Sequence, residues 1–534
     1  GLFMHYVMTE KETVRMTLND LIQSLNSEDA DLCAEELRRF NSESLQQFQF
    51  PELKNSSVKR EFWNSIHSLL KSKDSKVLVE CLQTLRIVGR DRTCLEPEIL
   101  EDCLQDILRN AELISETPSF SNGSSEVIVE AQKCLCNIIY NSKYVQQNCC
   151  NQSILKNLTK LLDSFADETI PSEVKYFHSK LLFLVTALCP MSRDVINEFG
   201  GLQTVTACLQ IVAQRFLTLN DSDQGVQITC ELLKSLFNLL LSQVNVSVDT
   251  YIMLVDVCKA ILVSSNQVRT APHELKRHTV NLLSNIPRQY YSRLVNSDDG
   301  NSSISFLDHD MSVIHDLHKF LAHQLDSLPY EIHEGMTEGL CPVLKVLTEA
   351  SRTERCIRKY LKSLILPPLK DVHHRPEEGT TARNKLCRLL THPVSEIKDI
   401  TADFLFVLCK ENVHRMVKYT GYGNAAGMLA QKGLLLGNHE SNNGYSSDSD
   451  DSDTDEYRQY VDRINPITGC YEEPKTREDD EMTEEQKEYE AMRLVSLLDK
   501  MSHTGLIQPA TVGEDGRPRP IQHVLQLQDS NKLQ

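Results

Sequence analysis

Arg86 and Arg90 stand four residues apart in the leucine-rich run LRIVGR. In a helix that spacing puts both guanidinium groups on one face. Two such forks side by side can grip a carboxylate through paired N–H donors, for instance a peptide's C-terminus. The alternative is a pair of surface salt bridges with the Asp91 or Glu96 region. A second group of bases, Arg352, Arg355, Arg358, Lys359 and Lys362, sits in a chain whose net charge is −19. It would attract an acidic surface locally, or simply form a solvated helix face. A third feature is the run from Ser446 to Glu456, with six acids and no base. Ser447 has Asp450 three residues on, and Ser452 has Asp455. Acid-directed kinases read that pattern. A phosphate there would let the segment pair with a basic patch; otherwise it is an acidic spacer.

No catalytic constellation accompanies these groups. The chain has no GxxxxGK[ST] phosphate loop, no GxSxG elbow and no HExxH pair. GYGNAAG (421–427) resembles a dinucleotide fingerprint only superficially. Its third glycine comes one residue late, and a leucine-rich helix rather than a strand precedes it. His373, His374 and His392 lack partners of metal-ligand spacing and read as surface histidines. Seventeen cysteines at irregular spacing contain no paired CxxC motif, so they read as reduced core cysteines rather than a zinc site. No metal, no cofactor and no side-chain catalysis are expected. The acidic balance disfavours nucleic acid. The longest apolar stretch, Leu181 to Cys189, is too short to cross a bilayer, and GLFMHYVMTEKET does not read as a signal peptide. The expected setting is cytoplasmic, with any visit to the cell cortex or plasma membrane made through a partner.

The elements that must position such groups are helices. Glycine is scarce at 20 residues, aromatic residues make up 6%, and hydrophobic residues 40%, a balance that favours helix over sheet. Thr9 and Glu12 form a candidate capping box at the start of the helical pattern. Short apolar helices then recur at 81–90, 131–140, 180–189, 232–241, 280–287, 341–350 and 402–411. Three carry an asparagine in a matching context: Asn137, Asn238 and Asn285. The first two lie about twice a fifty-residue step apart, and the last two about one step, which is the mark of an armadillo or HEAT array. In such arrays each unit buries its face only against its neighbours. An inner-helix asparagine can bond the backbone of a peptide laid in the groove, or bridge adjacent helices. The expected fold is therefore all-α: an armadillo/HEAT-like solenoid over 1–436. An acidic disordered linker would follow over 437–481, then a helix over 482–504 and a disordered tail over 505–534. Thr483 and Gln486 cap that helix, and Ala491, Leu494, Val495, Leu498 and Met501 share one face, which would need a partner to dock on.

Several segments together resemble the synembryn family: LRIVGRDRTCLEP (85–97), KCLCNII (133–139), LLFLVTAL (181–188), HTVNLLSNIP (278–287), LPPLKDVHHRPE (366–377), FLFVLC (404–409), KYTGYGNAAG (418–427), DTDEY (453–457), INPITG (464–469) and MTEEQKEYEAMRLV (482–495). They span almost the whole chain. The resemblance implies a chaperone and guanine-nucleotide exchange factor for monomeric, GDP-bound G-protein α subunits (Gα) that stabilises their nucleotide-free state. It implies that the Gα C-terminal helix lies in the concave groove, lined by Arg86, Arg90 and Asn137. It further implies that Arg355 and Lys359 face Gα, that residues 483–500 reach over the guest, and that Ser447 and Ser452 match phosphorylated sites. Neuronal calcium-sensor proteins are further partners of the family. The rival from another class is a generic armadillo scaffold or transport adaptor without exchange activity. Adaptors that clamp basic peptides use a tryptophan ladder, and this chain has only Trp63.

Overall fold

In a computed structural model the structure describes residues 16–27, 29–219, 223–242, 245–265, 272–298, 300, 302–328, 339–437, 453–473 and 483–521. The Thr9–Glu12 box lies outside them; the first capping box described pairs Thr17 with Asp20. The chain divides into two compact units, Gly1–Ile286 and Pro287–Gln534.

The first unit runs α1 (Leu18–Leu25), α2 (Ala30–Glu43), α3 (Ser56–Leu69), α4 (Ser75–Val88), α5 (Pro97–Asn110), α6 (Ser125–Asn141), α7 (Lys143–Cys149), α8 (Gln152–Lys160), α9 (Ser172–Leu188), α10 (Pro190–Glu198), α11 (Gly201–Leu219), α12 (Asp223–Leu240), α13 (Val248–Ser265) and α14 (Pro272–Leu283). The recurring apolar segments read from the sequence at 81–90, 131–140, 180–189, 232–241 and 280–287 fall on α4, α6, α9, α12 and α14, which form one continuous row. Helix α2 packs on α4, α4 on α6, α6 on α9, α9 on α12, and α12 on α14. Helices between them pair into a second layer, as α3 does with α5 and α11 with α13. Leu82 and Leu85 of α4, Leu135 and Ile139 of α6, Leu182 of α9 and Leu236 of α12 are all buried. Helices this short are marginal in water by themselves, so it is the row-on-row packing that holds them. This is an all-α, armadillo-like solenoid.

The second unit opens with a small antiparallel sheet of order β1-β3-β2, made by β1 (Asn296–Ser297), β2 (Ser305–Phe306) and β3 (His309–Asp310). It continues through α15 (Ser312–Asp326), α16 (Leu340–Thr353), α17 (Arg355–Ile365), α18 (Ala382–Leu389), α19 (Ser395–Leu408), α20 (Val413–Thr420) and α21 (Tyr422–Lys432). Helix α16 packs on α15, α17 and α19. Then come α22 (Asp455–Tyr460), β4 (Ile464–Asn465), β5 (Cys470–Tyr471), α23 (Glu484–His503), β6 (Ala510–Val512) and β7 (Pro518–Pro520).

Two C-terminal stretches carry more structure than their composition suggests. Within 437–481, residues 453–473 form α22 and the β4–β5 hairpin. Asp453 pairs with Lys418, the Lys418 ammonium lies 4.9 Å from the centre of the buried Tyr457 ring, and the Tyr471 N–H donates to the Val372 carbonyl at 2.6 Å. Tyr457 follows directly on the acidic run, and Tyr460 and Tyr471 further on pack with ring centres 5.2 Å apart; the run masks them in any average of composition. Within 505–534, residues 510–520 form the β6–β7 hairpin.

All seventeen cysteines are unbridged, and only Cys150 is not buried. No described helix is long and apolar enough to cross a membrane.

Candidate functional site

The row helices α4, α6, α9 and α12 present a wall on which cations alternate with aromatic rings. Arg86 projects from the last turn of α4, and its Nε lies 3.3 Å from Glu130 Oε2 on α6. Arg90, just past the same helix, donates from Nη1 to the Leu45 carbonyl at 2.7 Å and lies 5.3 Å from the centre of the exposed Phe48 ring. Burial and the neighbouring Arg86 charge press the Arg90 pKa below the usual arginine range. Among the described residues Arg90 has no carboxylate partner. The Asp91 and Glu96 carboxylates serve elsewhere: Asp91 accepts from the Phe50 N–H at 2.9 Å, and Glu96 accepts from Lys59 at 2.7 Å.

The wall continues on the next helices. Lys133 of α6 bridges Glu130 at 3.0 Å and Glu173 at 2.9 Å, over the Phe177 ring at 5.0 Å. Burial opposes the Lys133 charge, but the bonds it donates to Glu173 and Glu130 outweigh that and raise its pKa. Lys180 of α9 lies 5.7 Å from the Tyr176 ring and, like Arg90, has no carboxylate partner among the described residues. Lys234 of α12 sits 4.2 Å from the Phe183 ring and 2.9 Å from Glu231. Reading the sequence singles out none of Phe48, Tyr176, Phe177, Lys180, Phe183 or Lys234. The available signal was a lysine in or beside the apolar segment of α6, α9 and α12, at 133, 180 and 234.

The asparagines mostly bridge neighbouring helices. The Asn137 Nδ2 donates to the Arg86 carbonyl at 2.6 Å, and Asn141 donates to the Gly89 carbonyl at 3.0 Å and to Asn137 Oδ1 at 3.1 Å. Asn238 donates to Thr186 Oγ1 at 3.1 Å, from α12 to α9. Asn41, which periodicity does not reveal, bonds the Glu80 carbonyl at 3.0 Å, from α2 to α4. Asn285 differs: its Nδ2 is buried and without a hydrogen-bond partner among the described residues. Asn137 thus fixes the helix turn that carries Arg86.

In the second unit the five bases do not form one patch. Arg358 is buried and donates to the Ser351 carbonyl at 2.8 Å. Lys362 is buried, 5.6 Å from the Tyr419 ring. Arg352 sits between Glu349 and Glu411. Arg355 is exposed and Lys359 half-buried, on one face of α17. The helical period had placed i and i+3 together without showing which side faced the core.

Leu494 and Leu498 lie on α23, 59% and 51% exposed, and the helix buries no side chain at all. It is nevertheless formed, for local reasons. A Thr483–Gln486 capping box closes its start, Glu484 and Glu485 lie in the first turn, and Lys500 and His503 in the last, all favourable to the helix dipole. Ser447 and Ser452 lie outside the described residues.

The glycine-rich GYGNAAG is a backbone junction. The Tyr422 N–H donates to the Pro466 carbonyl at 2.8 Å, and the Gly423 N–H donates to the Ile467 carbonyl at 2.9 Å. Two donors at the start of α21 are thus taken by the INPITG turn. His373 and His374 are exposed and His392 is half-buried. Among the described residues no three His, Cys, Asp or Glu side chains could together hold a metal ion.

Fold and wall define a helical-repeat protein of the armadillo-like class with a cation- and ring-lined row of helices. A sequence model of the guanine nucleotide exchange factor synembryn (Ric8) matches residues 81–517. The chain belongs to that family. It is 36% identical to "Chaperone Ric-8A" of Gallus gallus over 96% of this chain and 97% of that one. It is 38% identical to the Xenopus laevis protein of the same name, over 97% and 99%, and 34% identical to "Chaperone Ric-8" of Drosophila melanogaster, over 95% and 97%. Among solved structures, a designed armadillo repeat protein aligns with 51% of this chain and all of its own, at 15% identity and a TM-score of 0.35.

Proposed function

We infer that this chain accelerates GDP release from monomeric G-protein α subunits, stabilises their nucleotide-free form and chaperones their folding. It does so by taking the Gα C-terminal helix along the inner face of its first unit. The observation that carries this reading is the pair Arg90 and Lys180: two cations on the inner wall, beside the Phe48 and Tyr176 rings, without carboxylate partners among the described residues. A helix with apolar side chains and a terminal carboxylate complements such a wall. Arg86 shifts from Glu130 toward the guest, and Asn137 and Asn238 hold the wall's spacing. Asn285, whose buried Nδ2 lacks a partner among the described residues, would have to turn outward to reach the guest.

Exchange by this route needs no acid, base or nucleophile. It needs binding energy that favours the nucleotide-free state of the guest over its GDP state. Stabilising a state that otherwise unfolds is chaperoning by the same linkage. Arg355 and Lys359 meet acidic surface on the guest. Leu494 and Leu498 supply an apolar face that closes over it, and kinase action at Ser447 and Ser452 tunes that closure. Calcium-sensor proteins compete for or recruit the same chain, and the guest brings it to the membrane.

The test is GTPγS uptake by purified Gα with and without this chain, beside pull-down of GDP-loaded Gα. Faster uptake and a stable complex support the reading. No acceleration and no complex favour a plain armadillo scaffold. Trp63 already counts against a peptide-clamping adaptor, because it is 4% exposed inside the α3 core.

A further inference from the structure

We propose that the β6–β7 hairpin is a pivot that fixes the C-terminal end of α23 beside α21, so that α23 works as a hinged arm and not as a free tail. This rests on the reading that α23 contacts the guest.

The argument starts at Gly433. It ends α21 in the left-handed conformation, with φ 73°. Directly against it lies Gly516, also left-handed at φ 68°. The Leu435 N–H donates to the Gly516 carbonyl at 3.3 Å. A Cβ on Gly433 would sit 2.8 Å from the Asp515 carbonyl oxygen, and a Cβ on Gly516 would run into the Gly433 carbonyl. Two backbones meet there with no space for any side chain, and both need φ values that only glycine adopts at little cost. The hairpin is itself closed by Gly513 N–H to Arg517 carbonyl and Ile521 N–H to Pro509 carbonyl, both at 2.9 Å.

The connection from arm to pivot is short. Helix α23 ends at His503 and is closed by Gly505, whose φ is 71°, and the Leu506 N–H donates back to the Met501 carbonyl at 3.0 Å. Only Leu506, Ile507 and Gln508 separate that cap from Pro509. Fully extended, they reach about 10 Å. The arm itself is about 30 Å long. Its C-terminal end therefore stays within about 10 Å of the hairpin, while its exposed Leu494 and Leu498 sweep an arc set by the pivot. Confining the arm in this way raises its effective concentration at a guest already held by the same chain. Gly433 and Gly516 are thus positioning residues for closure.

Two variants of the full chain test it. Gly516→Val undocks the hairpin. Insertion of about a dozen Gly and Ser residues between Ile507 and Gln508 leaves the hairpin docked but lengthens the tether. The expected results are faster hydrogen exchange over 505–521 in Gly516→Val only, and weaker binding of nucleotide-free Gα in both, by about fivefold. Leu494→Ala with Leu498→Ala is the control for arm contact. If that pair weakens binding and the insertion does not, the pivot is wrong while the proposed function stands. If Gly516→Val leaves exchange over 505–521 unchanged, the docking is wrong. If the leucine pair itself has no effect, arm contact and pivot fall together.

Discussion

The α4–α6 wall of the first unit and the α23 arm of the second solve opposite problems. The wall is dense with bonds that cross from one helix to the next: Asn137 to the Arg86 carbonyl, Asn141 to the Gly89 carbonyl, Arg86 to Glu130. The arm has none. Its polar contacts are local, such as Lys487 to Glu484 at 3.0 Å and Arg493 to Glu490 at 3.4 Å, and every residue on it stays unburied. The wall is held by bonds between neighbouring helices. The α23 helix is held by its own caps and charges. The difference teaches that stability on one side of this molecule is cooperative and on the other is local.

The sharpest way to break that comparison is at the arginines. Arg86→Ala with Arg90→Ala should lower Gα affinity about a hundredfold, or about 3 kcal/mol, for loss of charged hydrogen bonds. Far-ultraviolet circular dichroism should stay unchanged. Unchanged affinity in a folded variant would remove the wall as the site.

Acid should destabilise the wall's unit through its buried histidines. His178 is buried between the Phe120 and Phe165 rings, donating to the Leu158 carbonyl at 2.7 Å. Burial lowers its pKa to about 4, and burial with the Arg277 and Lys234 charges holds His278 at about 4 as well. An unfolded histidine titrates near 6.5 and binds protons the folded one refuses. Stability is thus complete above about pH 6.5 and falls as pH drops toward 4, by about 3 kcal/mol for His178 alone. Thermal melts across that window should show it, and His178→Gln should flatten the slope.

On the arm, Leu494→Ala with Leu498→Ala should leave the melting temperature unchanged, since neither side chain is buried. Gα affinity should fall about tenfold, as loss of two half-buried leucines at an interface predicts. A drop in melting temperature would show that the arm docks on its own chain.

The smallest effect is expected at Asn137→Ala. One cross-helix hydrogen bond is worth about 1 kcal/mol. Calorimetry should register that loss, and Gα affinity should fall only modestly, through a loosened Arg86 turn. A loss equal to the arginine pair would mean that Asn137 touches the guest directly.

Much of this protein is legible in one dimension. Leucine spacing at the helical period marks α4, α6, α9, α12, α14, α16 and α19, and the fifty-residue recurrence marks the array, because burial of one helix face leaves a periodic trace in sequence. The Thr483–Gln486 box is equally visible, since capping is decided within four residues. The tertiary structure alone decided the rest. It turned Arg358 and Lys362 inward and left Arg355 outward, because which side of a helix meets the core depends on partners distant in sequence. It spent the Asn137 and Asn238 amides between helices and set Lys180 and Phe183 on the wall. It also showed GYGNAAG as the seat of the INPITG turn: a glycine records that something approaches closely, and only the fold shows what approaches.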